Sequence, residues 1–344
     1  MTTTKALAPE TPEFMATMTG GTMLIEPQRL RVHTRGLEHA ALLLQDRDIT
    51  ILCDLLTYGA MLGEHIHALY FAGCSRRRMN QRLRQLQDAA LVVRRPMPLG
   101  LSAGLPSAAV STGIPWVYGL GAAGAPLVAA RLGRDLAEVR RLARLGTPTA
   151  AAHTLAIVSL RVRGEEAVQH QNLERGNQPA TALRFVPERL LRHIYQVRAL
   201  GGAWRAEAYK PDALMQVSFN DVSERYFFVE VDLGHTSSSE WKLKADIAVR
   251  YRRSGLFWKR YGAPGFQTLV CTTGERRLAH LRHLLTSHLG EADAVCFGLT
   301  TFADIAAKGL FAPICRVPSE ASPLRLEDWA PSGIEATASA EGLL

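Results

Sequence analysis

The sequence predicts an α+β chain in two modules, a mainly helical one followed by an α/β one built on a mixed central sheet. Three observations predict it. Apolar residues recur at helical spacing before about residue 170, and strand-like runs alternate with helical ones after about residue 180. Between them lies a polar, turn-rich stretch, "QNLERGNQP", from Gln171 to Pro179. The organisation read from this is a flexible leader at 1–28, a first module with trailing helices at 29–170, a second module at 180–316 and a flexible tail at 317–344. The leader is marked by TTT, Pro9, Pro12 and TGGT, the tail by its content of Pro, Ser, Ala and acids. No internal repeat is visible.

At 344 residues the chain can bury ample cores. It carries 40 Lys and Arg against 32 Asp and Glu, a formal charge of +8 that favours a polyanionic partner wherever it clusters. The cysteines number five, lie far apart and form no CxxC pair, which points to a reducing interior rather than a disulfide framework. The N-terminus lacks the basic-then-apolar order of a signal peptide, and no run approaches ~18 apolar residues. The expectation is a soluble cytoplasmic protein with no membrane partner.

In the first module, "DRDITILCDLLTYGAML" opens with acids suited to a helix start and places Ile49, Leu52, Leu55 and Leu56 at helical spacing. "GEHIHALYF" reads as a short second helix, closed by Gly73, with Ser75 as N-cap of a third, "SRRRMNQRLRQLQDAALV". Met79, Leu83, Leu86 and Ala90 fall on one side of that third helix. At ~100° per residue, Arg77, Gln81 and Arg84 fall opposite, with Arg76, Arg78 and Asn80 completing the polar surface. "LVVRRPMP" and "IPWVYGL" then read as two strands around a Gly/Ser/Pro-rich loop. Three helices followed by a β-hairpin is the layout of a winged helix-turn-helix, in which the third helix enters the major groove of double-stranded DNA. Arg94 and Arg95 on the hairpin are placed to meet phosphate. A solvated basic face is the plain alternative to all of this. His65 and His67 are two apart on a helix, point different ways and make a poor metal pair. Gly119, Gly121 and Gly124 fit GxGxxG, but no second strand ending in an acid follows about 20 residues later, so a strand-to-helix turn is expected there rather than a nucleotide site.

In the second module, "YFFVEVDLGH" is a buried-type strand interrupted by Glu230 and Asp232. Side chains alternate along a strand, so Phe228, Glu230 and Asp232 share one face, with the two carboxylates about 7 Å apart. That face needs a cation or water. Upstream, Pro211 and Asp212 begin another strand, so PD followed by ExD has the shape of the metal-dependent nuclease motif PD-(D/E)xK. In that chemistry carboxylates from neighbouring strands hold Mg²⁺ and a lysine steadies the anionic centre. Asp232 stands where the motif expects the lysine. A replacement comes from "SSSEWKLKADIAVRYRR", a helix with a Ser237–Glu240 capping box, whose inward face carries Trp241, Lys244, Ala248 and Tyr251. The expected site is Asp212, Glu230, Asp232 and Lys244, with the three carboxylates as Mg²⁺ ligands. A structural ion pair is the alternative. His280 and His283, on a later helix, are expected at the surface.

The pieces "DRDITILCDLL", "RRRMNQRLRQLQDAALV", "VYGLGAAGAPLV", "HTLAIVSLRV", "PDALMQV", "FFVEVDLG" and "TLVCTTGERR" together resemble the replication-relaxation family of plasmid and mobile-element proteins. The resemblance implies a winged helix joined to a restriction-endonuclease-like domain. It also implies work on plasmid DNA in replication, relaxation or transfer, alongside other replication or transfer proteins. Asp212, Glu230, Asp232 and Lys244 match the family's PD, ExD and helical lysine. The functional expectation is a DNA-binding protein whose nuclease-like domain has weak or lost activity. Its rivals are an active Mg²⁺-dependent endonuclease and a winged-helix transcriptional regulator.

Overall fold

The computed structural model describes residues 31–32, 42–97, 115–174, 180–191, 193–198, 204–219 and 223–329. The expected leader lies outside these residues. The first module opens with α1 (Asp46–Tyr58), which buries Ile51, Leu52 and Leu55 and ends at Gly59, whose φ of 83° suits a residue without a side chain. A two-residue strand β1 (Met61–Leu62), α2 (Gly63–Tyr70) and α3 (Arg76–Asp88) follow, then β2 (Val92–Pro96) and β3 (Trp116–Leu120). The hairpin expected from sequence is the antiparallel pair β2–β3, and β1 joins its other edge to give a three-stranded sheet of order β1-β3-β2. After it come α4 (Gly124–Leu132) and α5 (Leu136–Leu142).

The glycines of the GxGxxG stretch have a packing explanation. A Cβ on Gly121 would meet the Ala90 carbonyl oxygen at 2.2 Å, and one on Gly124 the Leu91 carbonyl oxygen at 2.6 Å. The turn from β3 into α4 lies directly on the end of α3, where Gly121 N–H donates to Leu91 O at 2.8 Å. Backbone approach fixes these glycines.

The long helix α6 (Pro148–Glu174) runs past the boundary expected near residue 170 and serves both modules. Val158 and Val162 enter the core of the first module, while Ala156, Ile157 and Leu160 enter that of the second. His65 is buried, and its Nε2 bonds Ser159 Oγ on α6 at 2.9 Å. The second module then runs β4 (Ala180–Pro187), a separate hairpin of β5 (His193–Arg198) and β6 (Trp204–Tyr209), and β7 (Ala213–Phe219) with β8 (Glu224–Asp232). It continues with α7 (Ser238–Arg253), α8 (Leu256–Tyr261), β9 (Gln267–Thr272), α9 (Glu275–Leu289), β10 (Phe297–Thr301) and α10 (Phe302–Lys308). Its sheet has five strands in the order β10-β9-β8-β7-β4. β8 pairs parallel with β9 and antiparallel with β7, so the sheet is mixed. Phe227, Val229 and Val231 of β8 face α6 and α10, while Phe228 faces α7, α8 and α9.

One sequence expectation is corrected. The tail expected from residue 317 is anchored to the core as far as 329: Val317, Leu326 and Trp329 are buried, and Trp329 Nε1 donates to Val295 O at 3.1 Å. These apolar residues sit within a polar composition, and their burial fixes the segment. Residues 330–344 of that expected tail lie outside the described ones. Among the described residues, no helix is long and apolar enough to cross a membrane.

The first module is pinned by a pair that the sequence pattern left unmarked. Arg82, on the flank of α3, turns inward to the buried Asp48 of α1, with Nε donating to Oδ1 at 3.1 Å, and also donates to Leu43 O at 2.8 Å. Arg82→Ala would leave a buried carboxylate without its cation, so urea unfolding should show a loss of about 3 kcal/mol. An unchanged midpoint would show that the pair does not hold α3.

Candidate functional site

Two regions carry the residues singled out by the sequence. The first is the outer surface of α3 with the adjoining hairpin. Ser75 caps α3, its Oγ accepting the Arg78 N–H at 3.3 Å. Met79, Leu83 and Leu86 are buried beneath it, which leaves Arg76, Arg77, Arg78, Asn80, Gln81 and Arg84 exposed together. Arg94 and Arg95 of β2 are exposed as well. Among the described residues, no acidic side chain pairs with any of these six arginines. This is a solvated cationic surface with side chains suited to phosphates and base edges.

The second region is built on the strand acids. The register pairs Val229 with Ala213 across β8 and β7, so Asp212 and Glu230 are cross-strand neighbours on one sheet face. Burial of Glu230 (3 % exposed) and Asp232 (0 %) creates the need for counter-charge. Each acid meets it differently. Lys244 of α7 donates to Glu230 Oε2 at 2.7 Å, as the inward face of that helix predicts. Asp232 is gripped instead by Arg277 of α9, with Nε at 2.7 Å and Nη2 at 3.1 Å, and by Thr272 Oγ1 at 3.0 Å and Trp241 Nε1 at 3.3 Å. Asp212 Oδ2 accepts the Val231 N–H at 2.6 Å and lies 3.3 Å from Nε2 of His153 on α6. Glu188, in the turn after β4, donates its backbone N–H to Asp212 O at 2.8 Å.

The electrostatics follow from this packing. Burial and the adjacent Asp212 push the Glu230 carboxyl up to about 7, against the pull of Lys244. Burial works against the charge on Lys244, but Glu230 and Asp212 outweigh it and hold the ammonium firmly protonated. His153 is likewise raised, because its hydrogen bond and attraction to Asp212 exceed the cost of burial. Burial would raise Asp232, yet Arg277, Thr272 and Trp241 bring it below the usual carboxylate range. Burial and Asp212 raise Glu188.

Both oxygens of Asp232 are taken by protein donors, and among the described residues no group of three or more His, Cys, Asp or Glu side chains is placed to hold a metal ion. Asp212, Glu230 and Lys244 do come together. His153 and Arg277 complete the charge balance and were not among the expected residues. For His153 a signal existed: Ala156, Ile157 and Leu160 mark the sheet-facing stripe of α6, and His153 stands one turn before them. Of the other histidines, His283 is exposed, and exposed His280 bonds Ser238 Oγ at 3.2 Å.

The fold and these two regions define a mixed α+β protein with a cationic helix surface on one module and a charge-balanced acidic centre in the other. The family model described as replication-relaxation matches residues 53–265, more than half of the chain, and the protein belongs to that family. Neither a curated protein nor a solved structure matches it.

Two outcomes follow. Arg277→Ala strands a fully buried carboxylate, and denaturant unfolding should register a loss of about 3 kcal/mol. Glu230 keeps a proton in the folded state between its ordinary 4.5 and about 7, where the unfolded chain has released it. Stability therefore falls as pH rises through that window. Thermal unfolding of wild type should lose ground to Glu230→Gln between pH 5 and pH 8, and parallel curves would show that the carboxyl is not raised.

Proposed function

We propose that this protein binds double-stranded DNA in the replication, relaxation or transfer of a plasmid or mobile element. In this reading the first module is a winged helix-turn-helix and the second a restriction-endonuclease-like domain with weak or lost cleavage activity. The observation that carries it is the exposed surface of Arg76, Arg77, Arg78 and Arg84 with Asn80 and Gln81 on one capped helix, beside Arg94 and Arg95, none of these arginines ion-paired among the described residues. Arginines supply phosphate contacts and bidentate base readout, and Asn and Gln read adenine edges. Family membership supports the biological setting.

Weak or lost cleavage is favoured because the acidic centre is already balanced from within. Lys244 pairs with Glu230, Arg277 with Asp232, and His153 with Asp212. One observation favours the rival reading of an active Mg²⁺-dependent endonuclease. Lys244 reaches the Asp212–Glu230 pair from a helix, which restores the cation that Asp232 displaced from the strand. Supercoiled plasmid incubated with Mg²⁺, Mn²⁺ or EDTA separates the two. Little or no nicking is expected, and metal-dependent nicking abolished by both Asp212→Ala and Lys244→Ala would establish the enzyme.

DNA binding itself has a direct measurement. Arg77→Ala and Arg84→Ala should each weaken duplex binding and lower the slope of log K against log salt by about one. Gln81→Ala and Asn80→Ala should alter sequence preference more than affinity. Salt-insensitive binding, or wild-type affinity in both arginine variants, would end this reading.

A further inference from the structure

The hairpin of the first module carries an aromatic ring with no role in its core. Trp116, at the start of β3, is 41 % exposed, whereas the next four residues of that strand are buried. The Arg94 guanidinium lies over the indole, 4.4 Å from the ring centre. Burial raises the pKa of the neighbouring Tyr118 phenol, against the pull of the same arginine. Register puts Arg94 opposite Tyr118 and Pro96 opposite Trp116, so all four stand on one face of the hairpin. Arg95 and Val93, on the opposite face of β2, are exposed too.

We infer that Trp116 and Arg94 form a stacking platform for an unpaired DNA base, so that the protein prefers DNA with an opened or single-stranded segment over continuous duplex. A flat ring backed by a cation presents its other face to the π-face of a base, and every base offers one regardless of sequence. In continuous duplex both faces of each base are covered by neighbouring pairs, so only an unpaired or terminal base fits. The occupant is set by charge. The platform adjoins five further exposed arginines, Arg76, Arg77, Arg78, Arg84 and Arg95, with no acidic partner among the described residues, and these draw a polyanion and repel a basic peptide. Relaxation and replication both pass through opened strands. The inference rests on the basic surface being the DNA surface, and it adds which DNA structure that surface selects.

The test compares the full-length protein on a continuous duplex and on a fork of the same paired sequence with a short unpaired arm. A 2-aminopurine placed at the first unpaired position reports stacking. Wild type should bind the fork about tenfold more tightly than the duplex, with the probe quenched. Trp116→Ala should lose that preference and the quenching while keeping duplex affinity, and Trp116→Phe should retain most of both. Arg77→Ala should weaken fork and duplex alike. Equal wild-type affinity for the two DNAs, or a fork preference that survives Trp116→Ala, overturns the platform and leaves the basic surface standing. Failure to bind either DNA at low salt overturns both.

Discussion

A central strand that carries two carboxyl groups on a buried face needs neighbouring elements to bring cations to them, or must hold them protonated. The second module is arranged around that constraint. Glu230 and Asp232 stand two residues apart on β8, and both are withdrawn from water. Helix α7 answers the first with Lys244 and α9 answers the second with Arg277. The two helices also contribute Trp241, Leu278 and Leu281 to one apolar core on that sheet face. Apolar contact alone would tolerate a helix sliding along the sheet. A buried carboxylate with four donors does not, because displacement leaves it unpaired. Charge therefore sets the position, and burial supplies the cohesion.

The same constraint reaches the first module. Asp212 lies beside Glu230, and its cation, His153, sits near the start of α6. That helix is also bonded to α2 through Ser159 and His65 and packs Val158 and Val162 into the first core. Arg189, just past Glu188, donates to the Leu56 carbonyl of α1 at 3.0 Å. A shift of α6 would thus be felt both at the helices that carry the basic surface and at the Asp212 carboxylate. Among the described residues, α6 packs into the cores of both modules.

How far the sequence could be read depended on whether the partner was local. Lys244 was legible because a capped helix fixes the phase of every side chain after Ser237, and the lysine falls in phase with Trp241 and Ala248. The basic face of α3 was legible for the same reason. Arg277 was not, because it lies 45 residues from Asp232 and on a different helix, and no periodicity links them. Arg82 sat among exposed arginines and differs from them only in facing Asp48, 34 residues away. The third strand of the small sheet is two residues long, below what any alternation can show. The side chains that occupy the Asp232 oxygens, Arg277, Thr272 and Trp241, come from three separate elements, and no local pattern marks them as its partners.

On the proposed function, nucleic acid is held on the first module while the acidic centre of the second stays closed upon its own cations. Hydrogen–deuterium exchange of the full chain with and without forked DNA tests it most directly. Protection confined to residues 76–96 and 116–120, with 212–232 and 238–253 unchanged, is the expected result. Protection centred on β7, β8 and α7, with α3 unaffected, would contradict it and place the DNA in the second module.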